Sequence, residues 1–240
     1  MACSVVSLST TPNRCRQLSI VVDSILGQSV RPDRIVLNVP DRYRGRAPYP
    51  SFEVDDGVEI NRFAGGDLGP IAKILPTLDL VADPETVIIT LDDDVAYPPC
   101  LLRSLFEAAR EHPDMAFGSK GFVYDELGNI RPVRGNHRCC DVLQGYGAVL
   151  YRRGHLQADV LRAQLKEQPD RFRFSDDVIL SNHLAGQGVA RCTVELDEPL
   201  GHQPWADEDP HALKYEGGGT HKRYAEIREW LEAHGQWFIG

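Results

Sequence analysis

The chain has 240 residues, of which 42% are hydrophobic and 25% charged, and its formal net charge is -9. That composition is ordinary for a globular protein with one sizeable core, and the acidic balance argues against nucleic-acid partners and a basic membrane-surface role. No basic, apolar leader follows Met1, and no apolar stretch approaches about 20 residues. We therefore expect a cytoplasmic protein without a membrane span, and its six cysteines, which form no CxxC motif, to be reduced thiols.

The N-terminal part alternates between strand and helix patterns. Short β-branched runs predict strands over residues 3–8, 34–39 and 58–63, and apolar residues three and four apart predict a helix over 14–26. A strand, a crossover helix and a second strand at this spacing imply a parallel βαβ unit. A glycine-rich turn at 65–69 then opens a helix that carries Lys73 and reaches Leu78. Such a turn can offer backbone N–H groups to an anion, or it can be a simple turn with a surface lysine.

The apolar run that begins at Val87 ends in three consecutive acids, Asp92, Asp93 and Asp94. Its length and the prolines on both sides predict a buried central strand. In an extended chain the first and third acids point to one side and the second to the other. Adjacent carboxylates repel one another unless they share a cation, and ligands of open α/β sheets bind at the carboxyl ends of strands. We therefore expect Asp92 and Asp94 to bind Mn²⁺ or Mg²⁺; the alternative is a solvated acidic turn.

The second half is less regular. A helix is predicted over 101–109, a strand over 115–118, and either a mobile substrate-facing loop or a surface hairpin over 124–140. The strand-like run 142–153 contains Gly145 and Gly147, which suggests close approach of a ligand or of another backbone. Helices over 154–167 and 178–185 and a strand over 189–196 follow. The acids Asp176 and Asp177 stand where the second of these helices begins, so helix capping is the alternative to a chemical role.

The tail mixes histidine, aromatic and glycine residues over 201–221 before a last helix at 222–234. Taken in order, the motifs resemble those of the GT-A nucleotide-sugar glycosyltransferases, close to the family-2-like group, from Ser4 to about His221. The segment 7–12 resembles the loop that receives the nucleotide base, and 67–73 the segment that faces the diphosphate. The three consecutive acids resemble the DxD metal motif, 144–147 resembles the glycine-bearing strand of the sugar pocket, and Asp176-Asp177 resembles the Glu-Asp pair whose second acid is the base.

This resemblance implies a single α/β domain, residues 1–240, with a GT-A, Rossmann-like, mostly parallel sheet and flanking helices. Residues 1–118 would bind the nucleotide sugar and metal, and 119–240 the acceptor. The implied reaction is the metal-dependent transfer of a sugar from a nucleotide-sugar donor, expected to be a UDP-sugar. The acceptor would be a hydroxyl group of a glycan or glycoconjugate, as in polysaccharide biosynthesis. Asp177 as base implies inversion.

The resemblance also assigns site residues one by one. The catalytic pair would be Asp177 and Asp176. The metal would be held by Asp92, Asp94 and His202, with His221 as the other candidate histidine. The donor would be bound by Ser9, Thr10, Thr11, Arg14, Asp67, Lys73, Asp92, Asp93, Gly145 and Gly147.

Other classes compete with this interpretation. An Asp-x-Asp strand end also occurs in haloacid-dehalogenase-like sugar phosphatases, but Ala96 stands where that family has Thr or Val, and its nucleophile strand comes early in the chain. A nucleotidyltransferase would open with a glycine-rich phosphate loop, and the segment from Ser9 to Arg14 has no glycine. A non-catalytic sugar-binding module would not need the acids that are present. The chain departs from the glycosyltransferase pattern in one place, where Asp176 replaces the usual Glu.

Overall fold

The computed structural model describes residues 3–43, 49–203, 205 and 219–240. The part of the predicted tail between 206 and 218 therefore lies outside the described residues. The helices are α1 (Leu18–Leu26), α2 (Leu75–Leu80), α3 (Leu101–Glu111), α4 (Ala158–Glu167), α5 (Asp176–Gly186) and α6 (Thr220–Ala233). Short 3-10 turns occupy Gly69–Lys73, Gly145–Gly147, Arg153–His155 and Asp170–Phe174.

The strands of the first half are β1 (Ser4–Ser9), β2 (Arg34–Pro40), β3 (Val58–Phe63), β4 (Val87–Thr90), β5 (Val95–Ala96) and β6 (Met115–Gly118). Those of the second half are β7 (Gly121–Tyr124), β8 (Ile130–Val133), β9 (Arg138–Cys139), β10 (Val142–Leu143), β11 (Val149–Arg152), β12 (Ala190–Thr193) and β13 (Gly201–His202).

Eight strands form one central sheet in the order β3-β2-β1-β4-β11-β6-β12-β9. The pairs β3/β2, β2/β1, β1/β4 and β6/β12 are parallel, and β11 and β9 are antiparallel to their neighbours. The predicted βαβ unit is therefore confirmed, with α1 as its crossover. The chain order reverses between β1 and β4, which places a topological switch point at their carboxyl ends.

Both faces of the sheet are covered, which explains why its central strands are almost wholly apolar. On one face α1 and α3 pack in a cluster that contains Leu8 and Ile89; on the other, α2, α4, α5 and α6 pack around Ile88 and Phe122. The side chains of successive strand residues such as Ile88 and Ile89 thus pack on opposite faces of the sheet. The result is a mixed α/β domain with a mostly parallel sheet between helices, as predicted.

Several predicted elements differ in detail. The helix predicted over 14–26 begins only at Leu18, and the one predicted from 154 begins at Ala158 after a 3-10 turn. The region 124–140 contains a hairpin strand, β8, that pairs with β7, in a small sheet with β10. The run 142–153 is wrong as one strand: the 3-10 turn Gly145–Gly147 divides it, and Ala148 has a φ of 67°. No helix of the described residues is long and apolar enough to cross a bilayer.

Candidate active site

A cleft of about 580 Å³ opens at the carboxyl ends of β1 and β4, at the switch point of the sheet. Most of the residues that sequence reasoning selected line it, although they come from segments far apart in the chain. The lining includes Ser9, Thr10, Thr11, Arg14, Asp67, Lys73, Asp92, Asp93, Asp94, Asp176, Asp177 and His202. The predicted donor-binding glycines, Gly145 and Gly147, do not line it; the atoms closest to them belong to neighbouring side chains.

The three consecutive acids alternate in exposure, as the extended pattern predicts, although β4 itself ends at Thr90. Asp93 is buried, while Asp92 and Asp94 are partly exposed to the cleft. Asp93 accepts hydrogen bonds from the Thr10 hydroxyl at 2.7 Å and from the Arg14 guanidinium at 2.7 Å. Its carboxylate therefore ties the loop after β1 to the end of β4, and its predicted contact with the donor stays a prediction.

Arg14 also joins Asp94, whose Oδ2 lies 2.9 Å from the same guanidinium nitrogen. Burial, together with the charges of Asp92 and Asp93, raises the pKa of Asp94 to about 7, although Arg14 and Lys73 act in the opposite direction. A carboxylate in that state gains strongly from a further positive charge, because a cation offsets both its desolvation and its repulsion by its neighbours.

Lys73 lines the cleft, but its side chain is almost wholly buried, and its predicted contact with the diphosphate stays a prediction. Its ammonium lies 2.6 Å from Asp92 Oδ1 and 3.0 Å from Asp176 Oδ2. Burial opposes the charged ammonium, but Asp176 and Asp92 outweigh it and hold the pKa of Lys73 well above its usual value. One ammonium thus joins an acid at the end of β4 to an acid at the start of α5.

Both acids of the pair line the cleft, but Asp177 is the more exposed of the two. Asp176 is buried against Lys73, whereas Asp177 is only half-buried. Asp177 Oδ1 accepts the Gly145 N–H at 2.8 Å, and Oδ2 accepts the Tyr224 hydroxyl at 2.7 Å. Burial and the charge of Asp176 raise the pKa of Asp177 to about 7. These contacts fix its orientation, and the raised pKa lets it exchange a proton near neutral pH.

Close packing explains why residues 145 and 147 are glycines. A Cβ on Gly145 would lie 2.5 Å from Lys73 Nζ and 3.0 Å from Asp177 Oδ1. A Cβ on Gly147 would lie 2.6 Å from Lys120 Cγ and 2.9 Å from the Lys120 backbone nitrogen. Close approach of another backbone is therefore confirmed at Gly147, whereas side chains crowd Gly145. Binding of the donor by these glycines stays a prediction.

His202 reaches the site through β13, a two-residue strand that pairs with β5 directly after the acids. Its ring packs against Tyr146 at a centroid distance of 5.4 Å. Ligand atoms of Asp92, Asp94 and His202 do not all lie within 4.8 Å of one another, a spacing that among the described residues only Glu111, His112 and His137 meet. His202 as third metal ligand therefore stays a prediction. His221 lies in the first turn of α6 and does not line the cleft.

The acids at the end of β4 do suit a hard cation. Within the described part of the chain, Asp92 Oδ2 and Asp94 Oδ1 have no hydrogen-bond partner, while the other oxygen of each pairs with Lys73 or Arg14. Mg²⁺ is typically held by one or two carboxylates together with substrate phosphates and water. Two carboxylates that each present an oxygen to one cleft match that donor set without a third protein ligand.

Sequence reasoning missed two tyrosines that organise the site. Tyr224, on α6, orients Asp177, and Tyr97 accepts the Asp92 N–H at 2.9 Å and donates to the Tyr146 carbonyl at 3.3 Å. Tyr97 is only three residues beyond the acids in an apolar context, which is a signal for a buried anchor. No local signal pairs Tyr224 with Asp177, because the two are 47 residues apart.

No family model and no curated protein matches the chain. Among solved structures, the chain is similar to the 2-C-methyl-D-erythritol 4-phosphate cytidylyltransferase of Francisella tularensis. The sequence identity is 11% and the TM-score 0.49, over 81% of this chain and 90% of that chain. A likeness of this size carries no functional assignment, so the case for function depends on the geometry of the cleft.

Proposed function

We propose that the chain is a metal-dependent glycosyltransferase that moves a sugar from a nucleoside-diphosphate-sugar donor to a hydroxyl acceptor. The expected donor is a UDP-sugar. The observation that carries this proposal is Asp177, an oriented carboxylate on the cleft wall with a pKa of about 7. A general base works best when its pKa lies near the working pH. A non-catalytic binding module would have no need of this second acid site beside the strand-end carboxylates.

The strand-end acids supply the donor side of the proposal. Asp92 and Asp94 would hold Mn²⁺ or Mg²⁺ through their unpaired oxygens. When bound, the cation would neutralise the diphosphate leaving group. Lys73 keeps Asp92 and Asp176 in place and adds one fixed positive charge beneath the cleft.

The acceptor side then follows from Asp177. Its carboxylate would take the proton from the acceptor hydroxyl as that oxygen attacks the sugar carbon bonded to the diphosphate. The Tyr224 hydroxyl and the Gly145 N–H hold the carboxylate in one orientation throughout. A base on the cleft wall and a leaving group held at the strand ends fit a single displacement, which inverts the configuration at that carbon.

The test compares binding with turnover. A thermal-shift screen of UDP, GDP, dTDP and CMP, each with Mn²⁺, should show a rise in the melting midpoint for UDP, because a ligand that binds only the folded state stabilises it. D94A should lose the metal-dependent part of that rise. D177N should keep it and lose transfer by on the order of 100- to 10,000-fold, the usual contribution of a general base.

The control is D197N, which alters an exposed acid that does not line the cleft. It should match the wild type in both assays. Retained turnover in D177N would remove Asp177 as base. Release of pyrophosphate from a nucleoside triphosphate and a sugar phosphate would indicate nucleotidyl transfer instead, and release of phosphate from a sugar phosphate without any acceptor would indicate a phosphatase.

A further inference from the structure

Three side chains of the kinds that bind transition metals converge where α3 ends. They are Glu111, His112 and His137, and one ligand atom of each lies within 4.8 Å of the other two. Glu111 and His137 are exposed, His112 is partly exposed, and none of the three lines the cleft. Two come from the end of one helix and the third from the loop between β8 and β9, so the chain brings them together through its tertiary structure.

These side chains meet without bonding to one another. Within the described part of the chain, no hydrogen bond or ion pair joins Glu111, His112 and His137. The two imidazole rings lie perpendicular, with their centroids 5.1 Å apart. Each residue offers one ligand atom within 4.8 Å of the other two, a spacing at which a single cation could be bound by all three.

The surroundings hold the histidines in place. The fully buried Phe117 packs below both rings, with centroid distances of 6.4 Å to His112 and 5.9 Å to His137. His137 has a φ of 52°, and its N–H donates to the Thr193 carbonyl at 2.7 Å. The Oδ1 of the preceding Asn136 accepts the backbone N–H of Glu195 at 2.6 Å, so β12 and the segment that follows it anchor the loop at two points. The Phe117 ring and the hydrogen bonds of the loop therefore restrict the positions of the two histidines, and the surroundings of metal ligands commonly have this effect.

We propose that Glu111, His112 and His137 form a zinc site, separate from the oxygen-donor site of the cleft. Two imidazole nitrogens and one carboxylate form a typical three-residue zinc set, with a water molecule as the fourth ligand. Mg²⁺ prefers an all-oxygen set such as that of Asp92 and Asp94. Zinc bound here would join the end of α3 to the loop before β9, and would stabilise that edge of the sheet.

Calorimetry with zinc chloride tests this directly, on full-length protein freed of metal with a chelator and dialysed. The wild type should bind one zinc ion at this site, with a matching rise in the melting midpoint. H112A and H137N should each weaken that binding at least about ten-fold. Asparagine suits the test because it accepts the left-handed backbone that residue 137 adopts.

Three controls separate this site from other zinc ligands. H234A removes an exposed histidine outside the cluster, C139S removes the thiol two residues beyond His137, and D94N alters the cleft. H234A and C139S should bind zinc as the wild type does, and D94N should keep the zinc ion of the Glu111, His112 and His137 cluster. The proposal is overturned if the wild type binds no zinc, if H112A and H137N bind it unchanged, or if D94N alone abolishes binding. None of these results depends on glycosyl transfer, so the site stands or falls separately from the proposed function.

Discussion

At the residue scale, Asp177 and Tyr224 form the pair on which the proposed chemistry depends. The tyrosine hydroxyl donates to the carboxylate at 2.7 Å and so favours its charged form, which opposes the rise in pKa caused by burial and by Asp176. The ring of Tyr224 also stacks on Phe122 at 5.7 Å. Removing the hydroxyl alone would therefore change the acid–base property of Asp177 and leave the packing of α6 intact.

We expect Y224F to move the acid limb of the pH–rate profile to higher pH by about one unit. A hydrogen bond to a charged group contributes about 1.5–3 kcal/mol, and one pKa unit corresponds to about 1.4 kcal/mol. Since a base works only when ionised, the variant should lose activity chiefly below about pH 8 and regain it as the pH rises further. The measurement is kcat/KM against pH for both proteins.

Y124F is the matched control for this experiment. Tyr124 also packs on Phe122, with a centroid distance of 5.3 Å, but its hydroxyl is buried without a hydrogen-bond partner in the described chain. Its profile should coincide with that of the wild type. An unshifted acid limb in Y224F, with kcat reduced equally at every pH, would mean that Tyr224 has only a packing role.

The surroundings of Lys73 could not be predicted from the sequence. Its position near the glycine-rich turn suggests an exposed charge for an anion, yet the side chain is only 5% exposed and lies between two acids. These acids are 19 and 103 positions away in the chain, so the pairing follows from the meeting of β4 and α5 and not from local pattern. Removing either acid would leave a buried charge partly uncompensated, which is costly.

At the scale of elements, Gly145 in the turn Gly145–Gly147 lies between Lys73 and Asp177 of α5, with no room for a Cβ atom. We expect G145A to lower the free energy of unfolding by about 1–3 kcal/mol, as overpacking does. Because the added methyl group would overlap the Lys73 ammonium and crowd Asp177, turnover should also fall by on the order of 10- to 100-fold. Urea unfolding and steady-state kinetics on the same preparation measure the two effects.

G186A separates lost stability from lost activity. Gly186 ends the helix that carries Asp177 in its first turn, and the atoms nearest to a Cβ there belong to the Phe238 ring, at 2.9 Å and beyond. This variant should be destabilised by overlap with the ring and still turn over normally where it is folded. If G145A keeps full turnover while losing stability, the contact between the turn and Lys73 has no part in catalysis.

Elements with a strong local pattern were predicted well. The strands β2, β3 and β6 were predicted within one residue, because continuous or alternating apolar runs bounded by turn residues leave few alternatives. The run 142–153 was misjudged because apolar residues continue on both sides of the turn at Gly145–Gly147, and no residue type marks the positive φ of Ala148. The order of motifs along the chain correctly indicated which segments meet in the cleft. It could not give the ion pairs of Arg14 and Lys73, which depend on how far side chains reach between distant elements.

At the scale of the whole molecule, the acids of the cleft reduce stability at neutral pH. Folding raises the pKa of Asp177 from its ordinary value of 3.8 to about 7, and does the same to Asp94. Both groups therefore bind a proton more tightly in the folded than in the unfolded chain. Their contribution to stability is fully present below about pH 4 and is lost as the pH rises through about 7.

D177N should therefore be more stable than the wild type above neutral pH, by on the order of 2 kcal/mol, and equally stable near pH 4. The asparagine cannot ionise, so it escapes the cost of a buried charge while it keeps an oxygen for the Gly145 N–H. Free energies of unfolding from urea titrations at about pH 4.5 and pH 8 provide the comparison. A variant less stable than the wild type at the higher pH would contradict the raised pKa of Asp177.

The place of β6 in the central sheet has a consequence for how this chain could be divided. β6 closes the half of the chain predicted to bind the donor, yet both of its hydrogen-bonded neighbours, β11 and β12, belong to the other half. A fragment cut after Gly118 would carry β6 with two bare edges, a ready template for intermolecular pairing. The two halves therefore share one sheet, and we expect that neither half folds as an independent unit.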